Sequence, residues 1–278
     1  MRVNMAKKLC CYMFVLFILC ICFVSCYESV PISYDPSVIK ISEINNNEQN
    51  VNVLDCDSDS CIIPCPADMV HVNGKYCPQV EQICLKWDEK VVNVNGKVRC
   101  LLFKSPSKCL SKVRTNLDFC IDRFEWPNKE GSIPDVMVSW TDMKKSCENI
   151  GKRLCKDFEW EFACEGEDML PYPYGYERNF TDCNIDKKWI PFDENKLYNP
   201  KTRKAEVDRL SQREPSKFVL KCASPFKVMQ MCDNVDEFVI NSSGQPYKSA
   251  LKGGHFLSGA RNRCRPATLV HNEYFAFY

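Results

Sequence analysis

The side chains best suited to chemistry in this chain lie in one short segment, residues 251–268, which reads LKGGHFLSGARNRCRPAT. An imidazole, a hydroxyl, a thiol and three guanidinium groups occur there, on His255, Ser258, Cys264, Arg261, Arg263 and Arg265. The arginines alternate with other residues, so in an extended strand they would share one face. Because a guanidinium binds carboxylates bidentately, that face predicts an anion or carboxylate pocket beside His255. The same arginines could instead pair with internal carboxylates such as Glu159 or Glu161.

Two further readings of this segment involve its histidine. Ser258 and His255 could act as the nucleophile and base of a hydrolase, but their spacing of three puts them on opposite faces of a strand. His255 and His271 could reach one cleft as metal ligands. Two histidines without a placed carboxylate, however, are a poor match to a transition-metal site. Neither reading makes the segment a catalytic centre.

Several stretches resemble one known family. Residues 151–166 (GKRLCKDFEWEFACEG) and the glycine pair and arginines of 251–268 resemble the formylglycine-generating enzyme (sulfatase-modifying factor) domain. Residues 119–128 (FCIDRFEWPN) resemble another landmark strand of that family. The resemblance implies an irregular, disulfide-rich α+β fold related to C-type lectins, with ordered loops held by bound calcium and disulfides.

The catalytic residues of that family are not matched. Its members carry two reactive cysteines that bind copper and activate oxygen, and Ser258 stands at the position of the first. The short stretch 259–261 leaves no place for the second. Copper(I) favours thiolates, which a serine hydroxyl cannot replace. Copper and iron are therefore not expected, and Cys264, which matches a cysteine beyond the pair, is expected to form a structural disulfide.

Calcium is the cofactor that the resemblance does imply, since its oxygen ligands can hold irregular loops in place. The first family site follows an aromatic turn, here residues 172–175, and uses an Asn-Ile pair and a later acidic step. The ligands expected on this basis are the side chains of Asn184 and Asp208 and the main-chain oxygens of Ile185 and Leu210.

A second calcium site is implied over residues 230–238, QMCDNVDEF. The expected ligands are the side chains of Gln230 and Glu237 and the main-chain oxygens of Asp233 and Val235. This stretch departs from the family, because Gln230 replaces Asn or Asp, Asp233 replaces Gly and Asp236 replaces Trp. The alternative is that the acidic residues form a solvated turn.

Charge and the N-terminus bear on partners and location. The chain has 278 residues and a net charge of +1, which argues against a nucleic-acid partner. A basic start and an apolar run over 9–24 predict a secretory signal peptide over 1–25, with an uncleaved anchor as the alternative. Ser25-Cys26 resembles a bacterial lipoprotein signal, in which Cys26 is lipidated. A simple cleavage site near Ser25 is the other reading.

Cysteine usage agrees with export. Five of the 20 cysteines lie in or at the signal, leaving fifteen, a density that predicts disulfides in an oxidising compartment. An odd number leaves one thiol without a partner in the chain. Family domains usually finish with a Gly-Phe-Arg-Cys-like strand, and this chain stops at Phe277-Tyr278. The resemblance therefore implies a truncated end and a missing cysteine.

The expected organisation has three parts. A flexible, cysteine-containing tether covers 26–65, and the family-like domain covers 66–278, with a disulfide-pinned insertion at 77–112. Strand periodicity covers 68–76, and Asn95-Gly96 predicts a hairpin turn inside the insertion. A helix over 142–150 is expected to begin at a Ser139 or Thr141 cap and to bury Met143, Cys147 and Ile150, and a second helix covers 157–164.

The sequence thus predicts an exported protein of the bacterial cell envelope, anchored by lipid at Cys26, or a secreted one. Its expected role is a non-catalytic binding or structural module that presents a pocket over a calcium-stabilised core. The ligand would be an unidentified protein or small molecule. The alternative is an oxidoreductase that uses residues other than the known cysteine pair.

Overall fold

The computed structural model of the chain describes residues 25–27, 65–93, 96–257 and 259–277. The strands are β1 (Ser25–Tyr27), β2 (Met69–Tyr76), β3 (Val80–Glu81), β4 (Cys84–Trp87), β5 (Val92–Asn93), β6 (Gly96–Lys97), β7 (Cys100–Phe103), β8 (Lys108–Cys109), β9 (Thr115–Asp122), β10 (Val138–Ser139), β11 (Arg153–Leu154), β12 (Glu237–Ile240), β13 (Ser249–Lys252) and β14 (Ala276–Phe277). The helices are α1 (Trp140–Asn149), α2 (Asp157–Glu165), α3 (Glu194–Tyr198), α4 (Arg203–Leu210) and a 3-10 turn at Leu220–Cys222.

A four-stranded sheet in the order β11-β1-β9-β2 forms the base of the domain. Strands β2 and β9 pair antiparallel over their whole length, from Met69 opposite Asp122 to Tyr76 opposite Thr115. This confirms the strand predicted over 68–76. β1 lies between β9 and β11, with Cys26 opposite Ile121 and Arg153. The first residues of the predicted tether therefore belong to the sheet, whereas the rest of the predicted signal and tether up to residue 64 lies outside the described residues.

Two hydrophobic clusters cover this sheet. One joins Val72 and Ile121 of the sheet to Trp160 and Phe162 of α2, all fully buried. The other places α1 against β12 and β13 and includes Met143 and Cys147. The period of the helical pattern predicted the burial of Met143 and Cys147 on one face of α1, because residues three and four apart lie on one side of a helix.

Helix α1 begins at a capped residue, as predicted. The Ser139 side chain accepts a hydrogen bond from the Asp142 amide at 3.2 Å, which satisfies one of the free donors of the first turn. The expected burial of Ile150 is wrong, since this side chain is 47 % exposed. Ile150 follows the last helical residue, so it no longer lies on the buried face.

The insertion is pinned as expected, by disulfides Cys77–Cys109 and Cys84–Cys100. β3 pairs with β8, β4 with β7, and β5 with β6 as the tip hairpin. The hairpin is confirmed, but Gly96 is the first residue of β6 rather than part of the turn. Arg99 binds Asp186 at 2.5 Å, so the insertion is also tied to the main domain by an ion pair.

Further disulfides are Cys65–Cys120, Cys164–Cys264 and Cys183–Cys222, and Cys155 is disulfide-bonded as well. The structural disulfide expected for Cys264 is confirmed. These bonds hold long irregular loops, which include the short helices α3 and α4. Within the described ranges, no helix is long and apolar enough to cross a membrane.

Lys252 provides a test of the buried polar packing. Its side chain is fully buried over the Trp160 ring and donates to Glu161 Oε1 and to the Arg265 carbonyl, both at 2.7 Å. Lys252→Met should lower the free energy of unfolding by about 3 kcal/mol in urea titrations, since it removes one charged partner of the partly buried Glu161 and the donor to the Arg265 carbonyl.

The matched control is Lys204→Met, because Lys204 makes a similar 2.6 Å contact with Asp208 on the surface of α4. We expect a loss below about 0.5 kcal/mol there. If both variants lost the same unfolding free energy, the buried Lys252 contacts would contribute no more to stability than the exposed Lys204 contact.

Candidate functional site

Two adjacent glycines bring the C-terminal segment 253–268 against the loop before β12. Gly253 and Gly254 have φ values of +83° and +78°, in the region that favours glycine. A Cβ on Gly253 would lie 2.5 Å from the Met231 carbonyl oxygen, and one on Gly254 would lie 2.8 Å from Asn262 Nδ2. The close approach of the segment to the Met231 loop therefore depends on Gly253, and the path of the segment past its own Asn262 depends on Gly254.

The three arginines of this segment bind three separate partners. Arg261 forms a bidentate pair with Asp236, at 2.6 and 2.8 Å. Arg265 binds Glu165 and the Cys77 carbonyl and lies 3.6 Å from Glu161. Arg263 lies over the Phe103 ring, 5.3 Å from its centroid.

The expected shared pocket of Arg261, Arg263 and Arg265 is therefore wrong. Residues 259–267 are not a regular strand, so alternation does not place the three side chains on one face. The alternative, pairing with internal carboxylates, is confirmed for Arg261 and Arg265. Glu161 is one of the expected partners, whereas Glu159 binds Arg153 instead.

Asp236 also orients His255. The imidazole Nδ1 lies 3.2 Å from Asp236 Oδ2, and the carboxylate is fully buried. Burial acts to raise the pKa of Asp236, but hydrogen bonds from His255 and Arg261 outweigh it and hold the pKa below its usual value. Asp236 therefore stays ionised and fixes both neighbours.

His255 faces a cavity of about 590 Å³ with mainly apolar walls. Its walls include Trp189, Phe192, Leu197, Phe256 and Phe275, and His271 joins His255 as a polar group. His271 stacks on Phe275 at 4.7 Å. Burial, with the nearby charge of Arg261, lowers the pKa of His271, so this imidazole is neutral at pH 7. Ser258 lies outside the described residues.

The first expected calcium site is only partly assembled. Asn184 is buried, and its Nδ2 donates to the Gln212 carbonyl at 2.9 Å and to Asn234 Oδ1 at 2.7 Å. Its Oδ1 is buried and has no hydrogen-bond partner in the described part of the chain. The next residue, Ile185, is also buried.

The remaining two ligands of that site lie in α4. The Asp208 carboxylate is 53 % exposed and binds Lys204, one turn earlier in the helix. The Leu210 residue lines the apolar cavity. Asp208 is therefore a correction to the sequence prediction, because the helix directs its carboxylate to solvent rather than into the buried region that holds Asn184.

The second expected site is buried throughout. Gln230, Asp233, Val235 and Glu237 are each no more than 4 % exposed, so the alternative of a solvated acidic turn is wrong. Gln230 Oε1 and Glu237 Oε1 are both buried without a hydrogen-bond partner among the described residues. Together with Asn184 Oδ1, they are three of the five buried side-chain oxygens that lack a hydrogen-bond partner in the described part of the chain. Unpaired oxygens are thus concentrated on the side chains predicted to bind calcium.

Three buried carboxylates meet in this region, on Glu125, Asp233 and Glu237. Burial raises the pKa of Glu125 and of Glu237 well above its usual value, and the charge of Asp233 adds to both shifts. Among the described residues, the groups that donate hydrogen bonds to these three carboxylates are all neutral. They are the main-chain amides of Asn184 and Val235, the side-chain amide of Asn234 and the indole of Trp160. Such a cluster favours protons or a bound cation.

Sequence reasoning missed Glu125 and Asn234. Glu125 Oε1 accepts from the Val235 amide at 3.0 Å, and Asn234 Nδ2 donates to Glu125 Oε2 at 2.5 Å. Asn234 Oδ1 accepts from Asn184, so these residues connect the two expected sites. The available signal was a carboxylate between two aromatic residues, Phe124 and Trp126, which indicates a buried acidic group.

A cysteine also lies in this loop. Cys232 is a buried free thiol, and its Sγ is 3.4 Å from Sγ of Cys164, which is bonded to Cys264. Burial raises the pKa of the Cys232 thiol well above its usual value, and the charges of Asp233 and Glu237 raise it further. The loop therefore carries both oxygen and sulfur groups.

These features define a disulfide-stapled α+β domain in which long loops surround a buried polar cluster and an apolar cavity. The family model of the Sulfatase-modifying factor enzyme 1-like domain matches residues 89–276, and the chain belongs to this family. The fold is accordingly of the C-type-lectin-like kind that the sequence predicted. The match includes 89–112, the second part of the predicted insertion. No curated protein matches the chain.

Asp233 provides a pH test of the carboxylate cluster. Burial raises its pKa to about 6, against the opposing hydrogen bond from the Asn184 amide. Because the folded pKa exceeds the unfolded one, protonation stabilises the fold below about pH 4, and this contribution is lost as pH rises to about 6. The slope should be at most about 1.4 kcal/mol per pH unit.

This effect is measured by urea unfolding of the unchanged protein and of Asp233→Asn between pH 4 and 8, without calcium. The unfolding free energy of the unchanged protein minus that of the variant should fall between pH 4 and 6 and then level off. Parallel curves over the whole range would contradict a raised pKa at Asp233.

Proposed function

We propose that this protein is an exported, non-catalytic binding module that presents an apolar pocket over a calcium-stabilised core. The observation that carries the proposal is the concentration of unpaired buried oxygens on Asn184, Gln230 and Glu237, beside mutually repelling carboxylates. Export is supported by the predicted signal peptide and by the disulfides, which persist in oxidising compartments.

Calcium suits the chemistry of this cluster. The cation takes six to eight oxygen ligands from carboxylates, amides and main-chain carbonyls in flexible geometry. Asn184 would hold one ion, with the main-chain oxygen of Ile185, and Gln230 and Glu237 would hold another, with main-chain oxygens of Asp233 and Val235. A bound dication would also offset the repulsion between buried carboxylates, which otherwise destabilises the fold.

The cavity supports binding of a ligand with a substantial apolar part. A volume of about 590 Å³ is typical of pockets for small molecules or a few side chains. His255 hydrogen-bonds to Asp236, and Arg261 binds the same carboxylate. The imidazole of His255 is therefore held in a fixed orientation at the cavity wall, where it can contact a ligand. The ligand would bury its apolar part against Trp189 and Phe192 and hydrogen-bond to an imidazole.

The pairing of the reactive groups supports a non-catalytic role. Arg261 and Arg265 are engaged by carboxylates, and Cys264 is in a disulfide. Ser258 occupies the position that matches the first reactive cysteine of the family, and a serine cannot form a thiolate. The competing function is an oxidoreductase that uses other residues, and stoichiometric copper or iron in purified protein would favour it over the binding module.

Calcium dependence is the first test. At a calcium concentration about 100 times the dissociation constant, binding adds about 2.7 kcal/mol. For a domain of this size, that raises the unfolding temperature by roughly 5–10 °C. Glu237→Gln should remove the part of this increase that comes from the ion at Gln230 and Glu237, because it deletes a buried anionic ligand without changing its shape.

The matched control is Glu130→Gln, since Glu130 is exposed and far from the expected ligands in sequence. It should retain the full calcium effect in thermal unfolding with calcium or EGTA. Elemental analysis of the same samples should find calcium without copper or iron. An identical melting temperature in calcium and in EGTA would overturn the calcium proposal.

The pocket is tested with 8-anilinonaphthalene-1-sulfonate, a dye whose fluorescence increases when it binds an apolar surface. Trp189 is 59 % exposed and lines the cavity, whereas Phe180 is 65 % exposed and does not. Trp189→Ala should weaken probe binding at least about fivefold, because a large aromatic wall is lost. Phe180→Ala should leave it unchanged, and equal effects of the two substitutions would mean that the probe binds elsewhere.

A further inference from the structure

Three cysteine sulfurs meet in the core beside the loop that precedes β12. They belong to Cys164 of α2, Cys232 of the loop and Cys264 of the C-terminal segment, and all lie within 4.8 Å of one another. Cys164 is bonded to Cys264, and the Cys232 Sγ lies 3.4 Å from the Cys164 Sγ. Each residue is at most 2 % exposed, so the cluster is separated from solvent thiols.

This arrangement gives Cys164 two possible partners at bonding or near-bonding range. A disulfide breaks when a thiolate sulfur attacks one of its sulfurs. The Cys232 sulfur is in van der Waals contact with its target at 3.4 Å, and its burial, which keeps it mostly as the thiol, makes the exchange slow without blocking the approach. We propose that Cys232 is the second partner of Cys164, so that the Cys164–Cys264 bond exchanges internally for a Cys164–Cys232 bond. This inference does not depend on calcium or on a ligand.

The exchange balances without any oxidant or reductant. The Cys232 thiol gives up its proton, and its sulfur forms a bond to the Cys164 sulfur. The Cys164–Cys264 bond breaks, and its electron pair stays on the Cys264 sulfur, which takes up a proton. One disulfide and one thiol are present before and after the step, and only their positions change.

Chain connectivity does not prevent either isomer. The bond to Cys264 closes a loop of 100 residues, and a bond to Cys232 would close one of 68. Because the entropy of loop closure varies only with the logarithm of loop length, this difference is a minor term. Local packing therefore decides which isomer predominates.

The two isomers tie α2 to different segments. In the present isomer, α2 is bonded to the C-terminal segment, which also lines the apolar cavity through His255 and Leu257. In the other, α2 is bonded to the loop that holds Gln230 and leads into Glu237 of β12. The C-terminal segment is then held by non-covalent contacts such as Arg265 with Glu165 and Arg261 with Asp236. Exchange is thus a covalent switch between the polar cluster and the cavity wall.

The first experiment uses the unchanged full chain. Native protein is incubated at neutral pH for increasing times without added thiol, trapped with acid, alkylated and digested without reduction for mass spectrometry. We expect both the Cys164–Cys264 and the Cys164–Cys232 linked peptides. Recovery of the Cys164–Cys264 peptide alone, at all incubation times, would overturn the proposal.

A second experiment forces the choice of partner. With oxidised glutathione supplied during refolding as the two-electron oxidant, Cys264→Ser should yield the Cys164–Cys232 linked peptide in nearly all molecules. Cys232→Ser, refolded in the same way, should retain Cys164–Cys264. Alkylation of both Cys164 and Cys232 in folded Cys264→Ser protein would overturn the proposal.

If Cys264→Ser folds poorly, the double variant Cys232→Ser, Cys264→Ser provides the comparison. With Cys232 as the alternative partner, the single variant should unfold at a measurably higher temperature than the double variant, and this difference should vanish in a strong reductant. Equal unfolding temperatures before reduction would count against the inference, because no second disulfide would then have formed.

Discussion

The burial of three carboxylates in one loop region is the constraint on which the rest of this structure depends. Glu125, Asp233 and Glu237 share a part of the core with Trp160, and neutral groups supply the donors described for them. Ionised groups of like charge repel strongly where water is excluded. The loop therefore needs protons or a cation in its core, and the disulfides and ion pairs around it oppose its opening.

Packing contacts position the C-terminal segment. Gly253 allows the segment to approach the Met231 loop closely, and Arg261 and Arg265 reach inward. Their guanidinium groups are bound to buried carboxylates, so these two arginines stabilise the packing of the segment. The space next to the segment is an apolar cavity with an oriented histidine. Binding at such a cavity requires complementary shape and no bond-making residue.

Local patterns predicted the elements that depend on neighbouring residues. Alternation predicted β2, the Ser139 cap predicted the start of α1, and four cysteines predicted a pinned insertion. The Asp208 prediction failed because the residue lies in a helix that the pattern did not reveal. The shared face of the arginines failed for a similar reason, since segment 259–267 is irregular and period-two alternation has no meaning there.

By itself, the sequence determined the family and the α+β class, because these depend on residue types at fixed spacings, and it proposed a set of oxygen ligands for calcium. Only the tertiary structure decided which of those oxygens lack partners, that Arg265 meets Glu165, and that Cys232 touches the Cys164–Cys264 bond. These contacts join residues 68 to 100 positions apart. Their geometry depends on how whole helices, strands and loops pack against one another, and it cannot be inferred from residue spacing along the chain.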